Sequence, residues 1–111
     1  MKPLLSSLRE KKRYVVFKVI SQEQLPFKGI SKGIKEHFLS LMGEFGYTKS
    51  GLMLLHEQWN QSKNTGVAKI NHKYVTHLKM ALSLIKKIES EKIIVNSLGV
   101  SGILAKTQRF I

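Results

Sequence analysis

The 111-residue sequence contains no cysteine and no aspartate. The lack of cysteine excludes disulfide bonds and thiolate metal ligands. All seven acidic residues are glutamates, and they are spread along the chain. A site for two catalytic metal ions needs several carboxylates close together, so this composition makes such a site difficult to build.

Long apolar runs are also missing. No stretch approaches the roughly 20 apolar residues of a membrane span. Serines and then charged residues interrupt the apolar start of the chain before it could form the core of a signal peptide. We therefore expect a soluble, cytoplasmic protein that contacts no membrane.

Catalytic motifs are absent as well. The four histidines, at positions 37, 56, 72 and 77, do not have the i, i+4 spacing of a helical zinc pair. Neither a nucleophile elbow nor a phosphate-binding glycine loop occurs. The sequence predicts no catalytic residue, no metal site and no cofactor bound by the polypeptide itself.

Positive charge is what the sequence has in excess. Nineteen lysines and arginines oppose the seven glutamates, which gives a formal net charge of +12. Residues 8–14 hold four of these cations, directly before an apolar, strand-like stretch. Such a field attracts polyanions, and nucleic-acid phosphates are the commonest of them. An acidic membrane surface or an acidic protein would respond to the same field.

Hydrophobic periodicity predicts six elements in the order βαββαβ. Strands are expected at 13–21, 51–59, 66–71 and 91–98, and helices at 27–43 and 73–88. Gly43 and Gly46 are expected to end the first helix, and Gly99 and Gly102 the last strand. This order predicts an α/β fold of the ferredoxin-like or RRM-like type, a four-stranded antiparallel sheet with both helices on one face. We expect one domain over residues 1–111, with a basic lead-in at 1–13 and a basic tail at 103–111.

The face of this sheet away from the helices is expected to be open. On the first strand it would present Tyr14, Val16, Lys18 and Ile20, of which Tyr14, Val16 and Ile20 are candidates for a protein-partner interface. Phe17 is expected to face the helices. The stretch 66–70 has no aromatic residue, so the base stacking typical of RRM domains is weakly supported.

Contacts with RNA phosphates are therefore the expected mode of binding. The helix start at 71–74 also offers backbone N–H groups to a phosphate. The candidate RNA-binding residues are Arg9, Lys11, Lys12, Arg13, Lys18, Lys69, His72, Lys73, Lys106 and Arg109.

Three stretches together resemble a known family. They are Leu8-Arg-Glu-Lys-Lys-Arg-Tyr14, Asn71-His-Lys-Tyr-Val75 with Ala81-Leu82 and Leu84-Ile85 beyond it, and Leu98-Gly-Val-Ser-Gly102. In this order and spacing the chain resembles archaeal ribonuclease P protein component 2, the relative of the eukaryotic Pop-five subunit. Residues 103–106 depart from the family's usual pattern, and 52–65 carry no role from it.

The resemblance implies an RRM-like fold and membership in the ribonucleoprotein that removes 5′ leaders from precursor tRNA. It implies that the RNA subunit carries the active site with its magnesium ions, and that the protein is a non-catalytic subunit of this endoribonuclease. The implied partners are the ribonuclease P RNA, precursor tRNA and protein component 3, the two proteins pairing as a heterotetramer.

Two other interpretations remain open at this point. A general protein that binds structured RNA would have the same charge but would not stimulate cleavage of precursor tRNA. A ligand-sensing domain of the ACT type shares the βαββαβ order and would bind an amino acid at a dimer interface.

Overall fold

A computed structural model describes residues 11–110 of the chain. Its strands and α-helices, in chain order, are β1 (Lys12–Ser21), α1 (Phe27–Ser50), β2 (Met53–Leu54), β3 (Thr65–Asn71), α2 (Val75–Leu84), β4 (Lys87–Ile88) and β5 (Glu91–Ser101). Three short 3₁₀ helices, His56–Gln58, His72–Tyr74 and Leu104–Phe110, complete the described elements. None of the helices within residues 11–110 is long and apolar enough to cross a membrane.

The sheet has five strands in the order β2-β3-β1-β5-β4, and neighbouring strands are antiparallel. β1 lies at the centre, where Tyr14 pairs with Lys69 of β3 on one side and with Ser101 of β5 on the other. The predicted mixed α/β class and the adjacency of the strands at 13–21 and 66–71 are confirmed. The short strand β4 was not predicted.

The main core lies between the sheet and the two α-helices. Val15, Phe17 and Val19 of β1 pack in one cluster with Phe38 of α1 and Leu78 of α2, and all five are at most 2% exposed. The alternation along β1 follows from the pleat, which sends successive side chains to opposite faces. The prediction that Phe17 faces the helices is confirmed.

α1 is longer than predicted. It begins directly after Pro26, breaks at Gly43 (φ 73°, ψ 168°) and resumes as far as Ser50, where Gly51 ends it with φ 63°. A left-handed φ suits glycine, which explains both positions. The predicted end at Gly43 was therefore wrong, because helical turns follow the break.

Two residues of the predicted apolar stripe of α1 do not reach the core. Leu41 is 42% exposed and Phe45 is 76% exposed, whereas Phe38 is fully buried. At about 1.5 Å per residue, 24 helical residues extend well past the sheet, and the break at Gly43 falls in this outer part. The stripe therefore continues in sequence after the sheet beneath it has ended.

The predicted strand at 51–59 is mostly not a strand. Only Met53 and Leu54 pair with β3, and a 3₁₀ helix follows at His56–Gln58. Beyond it the Trp59 ring packs 5.6 Å from the Phe27 ring and 6.4 Å from the Phe17 ring, measured between centroids. This aromatic packing draws the chain off the sheet edge.

The predicted helix at 73–88 is also shorter in the structure. α2 ends at Leu84, Ile85 is extended, and β4 forms a hairpin with β5. Ile85 and Ile88 are buried as predicted, but from extended chain rather than from a helix. The turn residues Glu89 and Ser90 both have positive φ, 52° and 65°. This is the conformation of a type I′ hairpin turn, which favours Asn-Gly and so gave no signal in the sequence.

β5 runs through Gly99 to Ser101, so the predicted end of this strand at Leu98 was wrong. The ladder with β1 shifts register between Val16 and Phe17, where Val16 pairs with Gly99 and Phe17 with Ser97. Leu98 is the extra residue of this bulge.

Candidate nucleic-acid interface

The C-terminal 3₁₀ helix, Leu104–Phe110, covers the middle of the sheet face that lies away from the α-helices. Leu104 packs against a second apolar cluster made of Val16, Leu55 and Val67. Val16 and Val67 are 0% exposed. The expectation of an open face is therefore wrong at this point, and Val16 is not accessible to a partner protein.

Gly99 is what lets the end of this helix approach the sheet. A Cβ added at Gly99 would overlap the ring of Phe110, so only glycine leaves room for the aromatic ring there. The predicted tail at 103–111 is thus folded against the sheet over residues 104–110. Lys106 and Arg109 are exposed on this covering segment.

Most of the predicted cations gather at one end of the sheet. The start of β1 and the end of β3 lie side by side there, with Lys12 paired to Asn71. The His72 N–H donates to the Lys11 carbonyl at 2.8 Å, which extends the pairing by one residue. We call this surface the basic end; it consists of Lys11, Lys12, Arg13, Lys69, His72 and Lys73.

Two cations of the basic end are held by the fold. The Arg13 Nη1 donates to the Lys12 carbonyl at 3.0 Å, and a Cβ added at Gly102 would lie 3.4 Å from the same nitrogen. A Cβ added at Gly51 would come within 2.8 Å of the Lys12 Nζ, so this ammonium lies at the C-terminal end of α1. The positive charge is favourable there because the helix dipole is negative at that end.

The other members of the basic end are freer. Lys11, His72 and Lys73 are exposed, and Lys69 is half-buried. One backbone donor at the predicted helix start is already used, since the Lys73 N–H donates to the buried Asn71 Oδ1 at 3.0 Å. Arg9 lies outside the described residues.

Lys18 does not belong to the basic end. It is exposed and lies six residues beyond Lys12 along β1, which at about 3.3 Å per residue is roughly 20 Å away. The covering segment with Lys106 and Arg109 contacts the sheet between the two ends. The candidate residues therefore form three separate basic surfaces.

The model of the Rpp14/Pop5 family matches residues 13–111. The chain belongs to this family. Curated relatives named ribonuclease P protein component 2 match over almost the whole chain. Those of Thermococcus gammatolerans and Pyrococcus furiosus are 32% and 33% identical over 108 residues, covering 97% of this chain and 88% of theirs. The protein of Archaeoglobus fulgidus is 31% identical over 109 residues, covering 98% of this chain and 95% of its own.

A solved structure supports the fold of this Rpp14/Pop5 chain. A chain in the cryo-EM structure of yeast ribonuclease MRP superposes with a TM-score of 0.64 at 13% sequence identity. The match covers 85% of this chain and 76% of that one.

Sequence reasoning missed two surface features of this Rpp14/Pop5 protein. Phe45 is exposed, with the Lys49 ammonium 5.0 Å from its ring centroid. Lys87 and Lys92 stand directly opposite each other in the β4–β5 hairpin. The second pair was hidden because Lys87 was assigned to a helix. Within residues 11–110, no three histidine and glutamate side chains are grouped so that they could hold a metal ion.

Proposed function

We propose that this chain is a protein subunit of ribonuclease P, the ribonucleoprotein that removes the 5′ leader from precursor tRNA. The observation that carries the proposal is the match to the Rpp14/Pop5 family over residues 13–111, together with about 30% identity to proteins named ribonuclease P protein component 2. The subunit is non-catalytic; the RNA subunit carries the active site and uses magnesium ions there. Its place of action is the cytoplasm.

The role we assign to the protein is electrostatic. Folding the RNA and docking a tRNA-shaped substrate bring phosphates together, and fixed cations offset that repulsion. The basic end, with Arg9 before it and the cations of the C-terminal segment, supplies these charges. The strand order β2-β3-β1-β5 is the order of a ferredoxin-like or RRM-like sheet, to which β4 adds an edge.

The protein partner in this proposal is ribonuclease P protein component 3, with which the chain forms a heterotetramer. The family membership and the ribonuclease names of the relatives support an RNA–protein assembly. Of the three residues predicted for the protein contact, Ile20 is 45% exposed and Tyr14 is half-buried, while Val16 is enclosed.

The test is single-turnover cleavage of a precursor tRNA at limiting magnesium. An archaeal ribonuclease P RNA is assayed alone, with component 3, and with component 3 plus this protein. Cleavage that requires both proteins is the expected result. No stimulation by a protein that is folded and binds RNA would contradict the proposal and favour a general RNA-binding role.

A further inference from the structure

The uncovered part of the sheet face lies at the end of β1 opposite the basic end. Ile20 and Ile94 are paired there across β1 and β5, with 45% and 59% of their surfaces exposed. An open groove of about 880 Å³ runs beside them, and its lining includes Lys87, Lys92 and Ser90. Two exposed isoleucines side by side are an apolar floor that water alone does not explain.

Lysines surround this floor on the same face of the sheet. Lys18 and Lys92 lie two residues from Ile20 and Ile94 along their strands, and alternate residues of a strand share a face. Lys87 stands directly opposite Lys92. Lys86, at the start of the hairpin, also lines the groove, and Glu91 is the acid among its lining residues.

The Lys87–Lys92 pair points to an anionic ligand. Like charges placed directly opposite each other in an antiparallel pair destabilise the hairpin. The turn joining these strands already holds Glu89 and Ser90 at positive φ, which is unfavourable for residues with a Cβ. An anion between the two ammonium groups would remove the repulsion.

Resting on the ribonuclease P role proposed above, we propose that this groove binds a second stretch of RNA backbone. Lys87 and Lys92 contact phosphates, Lys18 contacts the next part of the strand, and a ribose or base lies on Ile20 and Ile94. The groove is roughly 30 Å from the basic end along the ten-residue β1. One RNA therefore contacts both ends of the sheet.

Charge and shape favour RNA over an acidic protein helix. An amphipathic helix docks through a row of apolar side chains three and four residues apart and needs a long apolar groove. Here the apolar floor is only two side chains wide, with lysines on both sides of it. A sugar–phosphate chain, with a small apolar surface between charged groups, matches this arrangement.

The test measures equilibrium binding of an archaeal ribonuclease P RNA as salt is varied. Lys87→Ala combined with Lys92→Ala is compared with Lys63→Ala combined with Lys79→Ala, which removes the same charge from exposed positions outside the groove. At about 0.7 in log–log slope per phosphate, losing two contacts lowers the salt slope by about 1.4 and the affinity by roughly five-fold per contact at 0.1 M salt. Equal slopes for the two double variants would overturn the inference.

A charge reversal separates ligand binding from stability. Lys87→Glu places opposite charges across the hairpin, so its melting temperature should equal or exceed that of the wild type while RNA affinity falls. Unchanged RNA affinity in this variant would overturn the inference. So would loss of component 3 binding with RNA binding intact, because the groove would then be a protein contact.

Failure of the ribonuclease P proposal has a different signature. If the wild-type protein does not stimulate cleavage, the proposed function fails whatever the variants do. If the wild type stimulates cleavage and the Lys87/Lys92 variant binds RNA like its control, only the groove is refuted.

Discussion

The ring of Phe110 lies against the backbone of Gly99, in the space that a Cβ of residue 99 would occupy. This contact and the packing of Leu104 hold the C-terminal 3₁₀ helix on the sheet. The covering segment buries Val16 and Val67, so the middle of that face is unavailable for base stacking. What remains for RNA is its periphery, which is basic.

Replacing Gly99 by alanine should displace the C-terminal segment. The added methyl group overlaps the Phe110 ring, so the free energy of unfolding should fall by about 1–3 kcal/mol in chemical denaturation. Gly102→Ala is the matched control, because its Cβ meets nothing closer than 3.4 Å. In a Phe110→Ala background the cost of Gly99→Ala should largely disappear. Equal effects of the two glycine substitutions would contradict the assigned contact.

The β4–β5 turn should be stabilised by glycine. Ser90 has φ 65°, a conformation that costs a residue with a Cβ roughly 1 kcal/mol or more. Ser90→Gly should therefore raise the free energy of unfolding by about 0.5–1 kcal/mol. Ser97→Gly, within β5, should lower it by a similar amount. A loss of stability in Ser90→Gly would refute the left-handed turn.

Lys12 and Lys11 should differ in stability while resembling each other in RNA binding. The Lys12 Nζ lies at the C-terminal end of α1, where a cation contributes about 0.3–1 kcal/mol. Lys12→Ala should lose that amount on urea denaturation, whereas exposed Lys11→Ala should change nothing measurable. Each substitution should lower the salt slope of RNA binding by about 0.7. Equal stability of the two variants would show that Lys12 does not act on the helix.

The sequence predicted the elements whose residues all face one environment. The alternation of β1 and the apolar spacing of α1 up to Phe38 survive in the structure because each follows directly from burial. Prediction failed where a distant contact decides. Trp59 leaves the sheet edge to reach Phe27, and Ile85 stays buried although α2 has ended. No local pattern encodes either event.

The candidate site was predictable to a similar degree. The gathering of Lys12 and His72 at one sheet end follows from strand order, so the grouping of residues 11–13 with 72–73 could be anticipated. The enclosure of Val16 could not, because it depends on Phe110 returning to Gly99 across the sheet. The facing of Lys87 and Lys92 depends on a hairpin turn that lacks the usual Asn-Gly signal.

The central claim is that this protein supplies fixed cations to ribonuclease P, and a magnesium titration tests it most directly. Single-turnover cleavage of precursor tRNA is measured with the RNA, component 3 and one of three forms of this protein. These are the wild type, a variant with Arg9, Lys11, Lys12 and Arg13 neutralised, and a control with Lys28, Lys32, Lys35 and Lys79 neutralised.

The account predicts that the first variant folds, reaches full activity and needs more magnesium to do so, while the control resembles the wild type. The same magnesium midpoint for all three proteins would contradict it.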